Sequence, residues 1–199
     1  MLMKTLYIFD FDGTLAETLP LAFMCFRETF LKFNNELLSN AQIETLFGGS
    51  EQSIIHQQVK GDQQTKQQAI RFFYQLYQAN HALYAHCPIH IRQLLARLKQ
   101  QGKTLAIFTG KGRESLNYSL AAFELHSYFD FTVCDDDIAH SKPAPDGLLH
   151  ILQKSDCDAT QAIYFGDSPA DVIAGERANI DTVQVNWITQ PEQVLTYIK

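Results

Sequence analysis

Two aspartates separated by one residue, Asp10 and Asp12, come directly after the apolar run Tyr7–Phe9. At an extended strand end, the side chains of residues i and i+2 point to the same side. Two carboxylates held together repel each other unless a cation or a proton compensates them. An isolated pair of this kind is usually a solvated turn, so this pair predicts a functional site only if other residues of the chain join it.

Two further strand-like runs also end at a polar residue. Thr109 follows Ala106–Phe108, and Asp167 follows Ile163–Gly166. In a parallel sheet the carboxyl ends of the strands lie at one edge, where open α/β folds bind their ligands. One such ending is common in turns, but three of them predict a shared site that includes Asp10.

Lys142 and Asp171 add one cation and one more carboxylate to this site. Lys142 lies in a Ser-Lys-Pro segment, and Asp171 follows Asp167 by four residues. The four aspartates outnumber the single lysine, and a divalent cation would offset the excess negative charge. Oxygen ligands without cysteine or histidine favour Mg²⁺ over zinc. The sequence therefore predicts a magnesium site.

Some of these residues have a simpler explanation when each is taken alone. Thr109, at a strand-to-helix turn, could cap the following helix, and a lone Lys142 would usually be a solvated surface residue. The combined pattern favours a functional role for both. For Lys111 and Arg113, a solvated first helical turn and a place in the site explain the sequence equally well.

The elements that must position these residues alternate along most of the chain. The predicted strands are Lys4–Phe9, Thr104–Phe108, Phe129–Cys134, Gln161–Phe165 and Thr182–Trp187. Helices are predicted around 91–98 and over 113–124, 145–154, 169–178 and 191–198. Strands interleaved with helices imply βαβ units, and hence an α/β fold whose parallel sheet is covered on both faces.

The segment between Glu17 and about Tyr84 breaks this alternation, because its apolar residues recur only at helical spacing. It predicts a small all-helical subdomain inserted after the first strand and lying over the sheet. The expected division is a core formed by residues 1–16 and 85–199 and a helical cap formed by residues 17–84.

Composition limits the class of protein. The chain has 199 residues, of which 46% are hydrophobic and 19% charged, so it can bury a core and is not a disordered regulator. It lacks an apolar run of the roughly 20 residues that cross a bilayer, and we expect no membrane partner. The net charge of −6, without a basic cluster, argues against nucleic acid. The N-terminal segment lacks a signal-peptide cleavage pattern, so a cytoplasmic protein is expected. The oligomeric state is not predicted.

The polar segments, taken in chain order, resemble the four motifs of the haloacid dehalogenase-like (HAD) superfamily, in particular its phosphoglycolate phosphatase-like branch. The matching segments are Asp10–Leu15, Phe108–Lys111, Ser141–Asp146 and Gly166–Asp171. Each is short, but all four in this order are specific. The resemblance implies a Rossmann-like parallel-sheet core with a helical cap inserted after the first strand.

The resemblance also implies roles for individual residues. Asp10 would be the nucleophile that forms an aspartyl-phosphate, and Asp12 the acid and then the base. With an ordinary carboxyl pKa of about 3.9, Asp10 would be ionised near neutral pH without special tuning. The implied Mg²⁺ ligands are the Asp10 carboxylate, the Asp12 main-chain carbonyl and Asp167, with Asp171 supporting them. The implied phosphate-binding groups are Thr109, the Gly110 amide and Lys142.

The expected activity is therefore that of a Mg²⁺-dependent phosphohydrolase acting on a small phosphorylated metabolite, such as a phosphoglycolate-like phosphomonoester. Asp12 argues for phosphoryl transfer, since dehalogenases of the superfamily need neither a second acid nor a metal. Pyrophosphatase, phosphosugar mutase and phosphonate hydrolase remain alternatives, as does a catalytically silent binding module.

Substrate choice is expected to depend on the cap, because the core motifs contact only the phosphoryl group and the metal. Within the cap, Gly48 and Gly49 allow close backbone approach, and Ser50 could cap the next helix. We expect this loop to close over the substrate. An ordinary turn between helices explains these residues equally well.

Overall fold

The computed structural model describes residues 4–198 and contains one five-stranded parallel sheet. The strands are β1 (Leu6–Phe9), β2 (Thr104–Phe108), β3 (Phe131–Val133), β4 (Ala162–Gly166) and β5 (Asp181–Gln184). Their spatial order is β3-β2-β1-β4-β5, so β1 is central and pairs with β2 and β4. Because all pairs are parallel, the carboxyl ends of the strands lie at one edge.

Nine α-helices lie within the described residues 4–198. They are α1 (Leu19–Asn34), α2 (Asn40–Glu44), α3 (Glu51–Gln58), α4 (Gln63–Tyr84), α5 (Ile89–Gln100), α6 (Arg113–Ala122), α7 (Asp146–Ser155), α8 (Pro169–Arg177) and α9 (Leu195–Ile198). Short 3₁₀ turns lie at His126–Tyr128, Asp135–Asp137, Ala159–Gln161 and Pro191–Val194.

Alternate residues of the central strands pack on opposite faces of the sheet, as the two-residue period of a strand requires. Phe9 and Phe165 join one buried cluster, which includes the apolar stripe of α5. Ile8 and Tyr164 join the cluster on the other face, with residues of α7 and α8. The predicted α/β fold with a sheet covered on both faces is confirmed.

The predicted strand bounds differ most at the last strand. β5 begins at Asp181 and ends at Gln184, whereas the apolar pattern predicts Thr182–Trp187. The chain leaves the sheet after β5 because the Trp187 ring turns into the core, where its centroid lies 5.0 Å from that of Phe165.

The single helix predicted over 191–198 is instead a 3₁₀ turn followed by the four-residue α9. The side-chain oxygen of Gln193 accepts a hydrogen bond from the Asn186 amide at 3.2 Å. This bond ties the first turn to the loop after β5, so the turn does not continue as a regular helix.

The segment between β1 and α5 folds as α1–α4, which we call the helical insertion. Its own buried core includes Phe26 and Phe30 of α1, Ile55 of α3, and Phe73 and Tyr77 of α4. An all-helical cap inserted after the first strand is thus confirmed. The exact division at residues 17–84 stays a prediction.

No helix among residues 4–198 has the length and apolar character needed to span a bilayer.

Candidate active site

The two aspartates that follow β1 have separate basic partners. Asp10 is buried, and its Oδ1 lies 2.7 Å from Lys142 Nζ. Asp12 accepts a hydrogen bond from Thr18, and its Oδ1 lies 3.2 Å from Lys111 Nζ. The central strand therefore places two carboxylate–lysine pairs beside each other at the carboxyl edge of the sheet.

Asp167 and Asp171 join this edge from the end of β4 and the first turn of α8. One carboxylate oxygen each of Asp10, Asp167 and Asp171 can be chosen so that all three lie within 4.8 Å of one another. Asp171 is already saturated by protein groups: Tyr164 donates to its Oδ1 at 2.5 Å, Ser168 donates to its Oδ2 at 2.6 Å, and Lys142 lies 2.7 Å away. Asp167 accepts only one side-chain hydrogen bond, from Thr14 at 3.2 Å. Asp10 and Asp167 thus have more capacity left than Asp171 to bind a cation.

Burial and mutual repulsion leave this cluster with uncompensated negative charge. Burial raises the pKa of Asp10 to about 8, although Lys142 opposes the rise. Burial and the Asp171 charge raise the pKa of Asp167 to about 6. Burial also works to raise the pKa of Asp171, but Lys142 and the hydrogen bonds of Ser168 and Tyr164 hold it below its usual range. The expectation that Asp10 is ionised without special tuning is therefore wrong for the protein alone.

The donor set and the local backbone fit a hard divalent cation. All donors of the cluster are carboxylate oxygens, the ligands that Mg²⁺ prefers. Gly13 has φ +82°, and a Cβ at this position would lie only 2.4 Å from Asp167 Oδ2. The backbone after Asp12 therefore approaches the acidic cluster closely, which a residue with a side chain would prevent.

Thr109 and Gly110 border the same cavity from the end of β2. Thr109 is buried, and its Oγ1 accepts a hydrogen bond from the Lys111 amide at 3.2 Å. The residue that caps α6 is Gly112, so the explanation of Thr109 as a helix cap is wrong. A Cβ on Gly110 would meet nothing within 4 Å, so the space beside its backbone is open.

Lys111 is a buried residue of the site. Its exposed fraction is 4%, its Nζ lies 3.6 Å from Glu51 as well as 3.2 Å from Asp12, and the Tyr77 ring centroid is 5.0 Å away. Burial alone would lower the pKa of Lys111, but Asp12, Tyr77 and Glu51 raise it well above its ordinary value. The alternative of a solvated helical turn is therefore wrong for Lys111. Arg113, in contrast, binds Asp137 and Thr132 at the side of the core.

Glu51 is a residue that the sequence reasoning missed. It is the first residue of α3, and it is buried. Its Oε2 accepts from the Gly112 amide and its Oε1 from the Ser115 hydroxyl, both at 2.6 Å. The local sequence offers another explanation for an acid in the first turn of a helix, its favourable interaction with the helix dipole. Only the contact between insertion and core reveals this second role.

The loop between α2 and α3 lies against the core as well. Ser50 caps α3, accepting from the Ser53 amide at 3.4 Å, which matches the predicted cap. The Ser50 amide donates to Asp135 Oδ2 at 2.8 Å. Gly48 has φ +140°, a conformation that favours glycine.

These groups enclose a cavity of about 390 Å³, which we call the chamber. The core contributes the predicted site residues to its wall, namely Asp10, Asp12, Thr109, Gly110, Lys142 and Asp167, together with Lys111 and Asp135. The insertion contributes Phe23, Phe26, Glu44, Phe47, Gly48, Gly49 and Glu51. The structure thus brings the predicted catalytic residues and two of the three predicted specificity residues to one cavity. Ser50, the third, is not among its lining residues.

Comparisons with known proteins agree with this architecture. A protein of Caldanaerobacter subterraneus, named as a candidate pyrophosphatase PpaX, is 29% identical over 191 residues, which cover 96% of this chain and 86% of that protein. A solved structure described as a predicted phosphoglycolate phosphatase from Haemophilus somnus superposes with a TM-score of 0.80 at 22% identity, covering 92% of this chain and 86% of the other. CbbY from Rhodobacter sphaeroides, solved with phosphate, also gives 0.80, at 24% identity, with 90% and 85% covered.

The fold shared with these structures confirms the predicted resemblance to phosphoglycolate phosphatase-like proteins at the level of architecture. The sequence matches the haloacid dehalogenase-like hydrolase family over residues 7–185, which include all four motifs, the helical insertion and the chamber. The chain therefore belongs to the haloacid dehalogenase-like hydrolases.

Proposed function

We propose that this hydrolase is a Mg²⁺-dependent phosphatase that cleaves a small phosphomonoester through an aspartyl-phosphate. The observation that carries the proposal is the position of Asp10, buried at the end of the chamber between Lys142 and the acidic cluster. A buried carboxylate next to a cation and an open cavity is suited to attack phosphorus.

Each group around Asp10 has a task in this reaction. The Asp10 carboxylate attacks phosphorus, and Asp12 gives a proton to the leaving oxygen and then accepts one from the attacking water. Thr109, the Gly110 amide and Lys142 hold the phosphoryl oxygens as charge redistributes. Asp10, the Asp12 main-chain carbonyl and Asp167 would hold Mg²⁺, with Asp171 orienting Lys142. The bound ion would neutralise charge on the phosphoryl group and favour ionised Asp10.

A pyrophosphatase is the second candidate, because the Caldanaerobacter relative carries that name. The phosphonate hydrolase alternative needs a lysine from the insertion at the reacting carbon. Of the described residues, the lysines that line the chamber are Lys111 and Lys142, both from the core. Phosphosugar mutase and silent binding module remain unsupported alternatives, and the cytoplasmic location stays a prediction.

The experiment measures phosphate release from p-nitrophenyl phosphate with Mg²⁺, with excess chelator, and with Asp10→Asn. We expect turnover with Mg²⁺, loss of turnover with chelator, and essentially none from the amide variant, since an amide does not attack phosphorus. Rapid acid quench should trap phosphate on Asp10. Full activity of Asp10→Asn would rule out the covalent route, and full activity in chelator would rule out the metal. Binding without turnover would favour the silent module, and pyrophosphate as the better substrate would favour the second candidate.

A further inference from the structure

The part of the chamber that faces away from Asp10 is walled by aromatic rings of the insertion. The Phe47 ring centroid lies 5.7 Å from that of Phe23 and 6.2 Å from that of Phe26. All three residues line the chamber. A phosphoryl group bound at Asp10 would direct the rest of its substrate toward these rings.

The lysines of the chamber are fully engaged by protein carboxylates. Lys142 Nζ lies 2.7 Å from both Asp10 and Asp171. Lys111 Nζ lies between Asp12 and Glu51. Each lysine thus faces two carboxylates, and the described part of the chain places no arginine or further lysine on the chamber wall. A carboxylate or second phosphate on the leaving group would find no cation of its own.

The charged groups beside the aromatic wall are acidic. Glu44 lies at the exposed rim, and Asp135 reaches the chamber from the core. Asp135 Oδ2 is bonded to the Ser50 amide, but Asp135 Oδ1 is buried and has no hydrogen-bond partner among the described residues. A buried carboxylate oxygen without a partner is costly unless a ligand supplies a donor or a positive charge.

We propose, on the basis of the phosphatase function above, that the substrate is the phosphomonoester of an amino alcohol, with its ammonium group between Asp135 and the phenylalanine rings. Aromatic faces and a carboxylate together attract an ammonium ion, whereas like charges disfavour an anionic leaving group. In the reaction the ester P–O bond breaks as the bond from Asp10 to phosphorus forms. The alcohol oxygen takes the proton of Asp12, and the ammonium group is unchanged. Water then cleaves the aspartyl-phosphate to free phosphate.

The test uses three esters of similar size that differ in terminal charge: O-phosphoethanolamine, n-propyl phosphate and 2-phosphoglycolate. With Mg²⁺ at pH 7, we expect kcat/KM to fall in that order, by roughly tenfold at each step. Phosphoglycolate equal to or better than propyl phosphate would overturn the proposal, as would phosphoethanolamine no better than propyl phosphate.

Asp135→Asn tests the named contact, because the amide oxygen can still accept from the Ser50 amide while the charge is lost. The ratio of kcat/KM for phosphoethanolamine to that for propyl phosphate should fall by about tenfold. Asp136→Asn, at an exposed neighbour outside the chamber, is the matched control and should leave this ratio unchanged. Should Asp135→Asn fail to fold, Glu44→Gln at the rim should lower the same ratio. An unchanged ratio in the folded variant would contradict the proposal.

Calorimetric binding of the three esters to Asp10→Asn separates this proposal from the phosphatase function. The same order of affinity is expected without turnover. If wild-type protein hydrolysed no ester, including p-nitrophenyl phosphate, the phosphatase function would fail while the binding order still decided the charge preference. A reversed binding order would overturn the amino-alcohol proposal whatever the activity.

Discussion

Lys142 connects the nucleophile to the acidic cluster. It is buried, and both its neighbours, Asp10 and Asp171, are buried carboxylates. Burial alone would lower the pKa of Lys142, but these two aspartates raise it, so the side chain stays charged at neutral pH. Asp171 keeps the lysine in place, and the lysine is therefore preorganised for a phosphoryl group that arrives at Asp10.

Lys142→Ala should reduce kcat by about 10²-fold or more, because a preorganised charge donor to the transition state is lost. The variant should also unfold at a lower temperature, since two buried carboxylates lose their partner. Steady-state kinetics and thermal unfolding measure the two effects. Lys99→Ala removes a surface ion pair with Asp130 and serves as the control. A change of only a few-fold in both kcat and KM would mean that Lys142 is peripheral.

At the scale of elements, the loop between α2 and α3 decides how the chamber is closed. Gly49 lines the chamber, and a Cβ there would lie 3.4 Å from Ser53 Oγ and 3.7 Å from Asp135 Oδ2. A larger side chain at Gly49 must therefore extend beside Asp135, where the leaving group is proposed to lie. Gly48 is less suitable for a test, because its φ of +140° adds backbone strain to any substitution.

Gly49→Leu should lower kcat/KM for n-propyl phosphate by roughly tenfold relative to acetyl phosphate, because the new side chain fills the leaving-group space. Gln67→Leu places the same side chain at an exposed position of α4 and should leave the ratio unchanged. The measurement is kcat/KM for both substrates with each variant. Equal losses for both substrates would show that the loop is only structural.

At the scale of the whole molecule, the acidic cluster links metal binding, protonation and stability. The pKa values of Asp10 and Asp167 are raised in the folded protein to about 8 and about 6, whereas both are ordinary in the unfolded chain. The folded state therefore binds more protons, and the contribution of these two groups to stability is lost as pH rises through the folded pKa values. Mg²⁺ binds the ionised carboxylates and should restore that stability.

Mg²⁺ should therefore raise the unfolding temperature more at pH 8 than at pH 5, where protons compete for the same oxygens. Asp167→Asn should lose most of the effect, since it removes one ligand charge. Asp181→Asn, at a largely exposed aspartate, is the control. The measurement is thermal unfolding with Mg²⁺ or chelator at both pH values. An equal shift at pH 5 and pH 8, or one that survives Asp167→Asn, would contradict the assignment of this cluster as the metal site.

The sequence by itself determined the fold class and the core of the candidate site. Strand-forming runs and helical periodicity are local patterns, and they place Asp10, Thr109 and Asp167 at the ends of β1, β2 and β4. Parallel pairing then brings these residues to one edge without further information. For the same reason the four short motifs were sufficient to predict the family.

Only the tertiary structure decided what the helical insertion does to that edge. Glu51 meets the Gly112 amide across 61 residues of sequence, and the Ser50 amide meets Asp135 across 85. Local patterns explain Glu51 and Ser50 fully as first-turn and cap residues of α3, so the sequence gives no reason to expect them at the core. The burial of Lys111 and the raised pKa of Asp10 likewise depend on which groups surround them and on how far water is excluded. These are properties of packing between distant segments, and a residue's neighbours in sequence do not determine them.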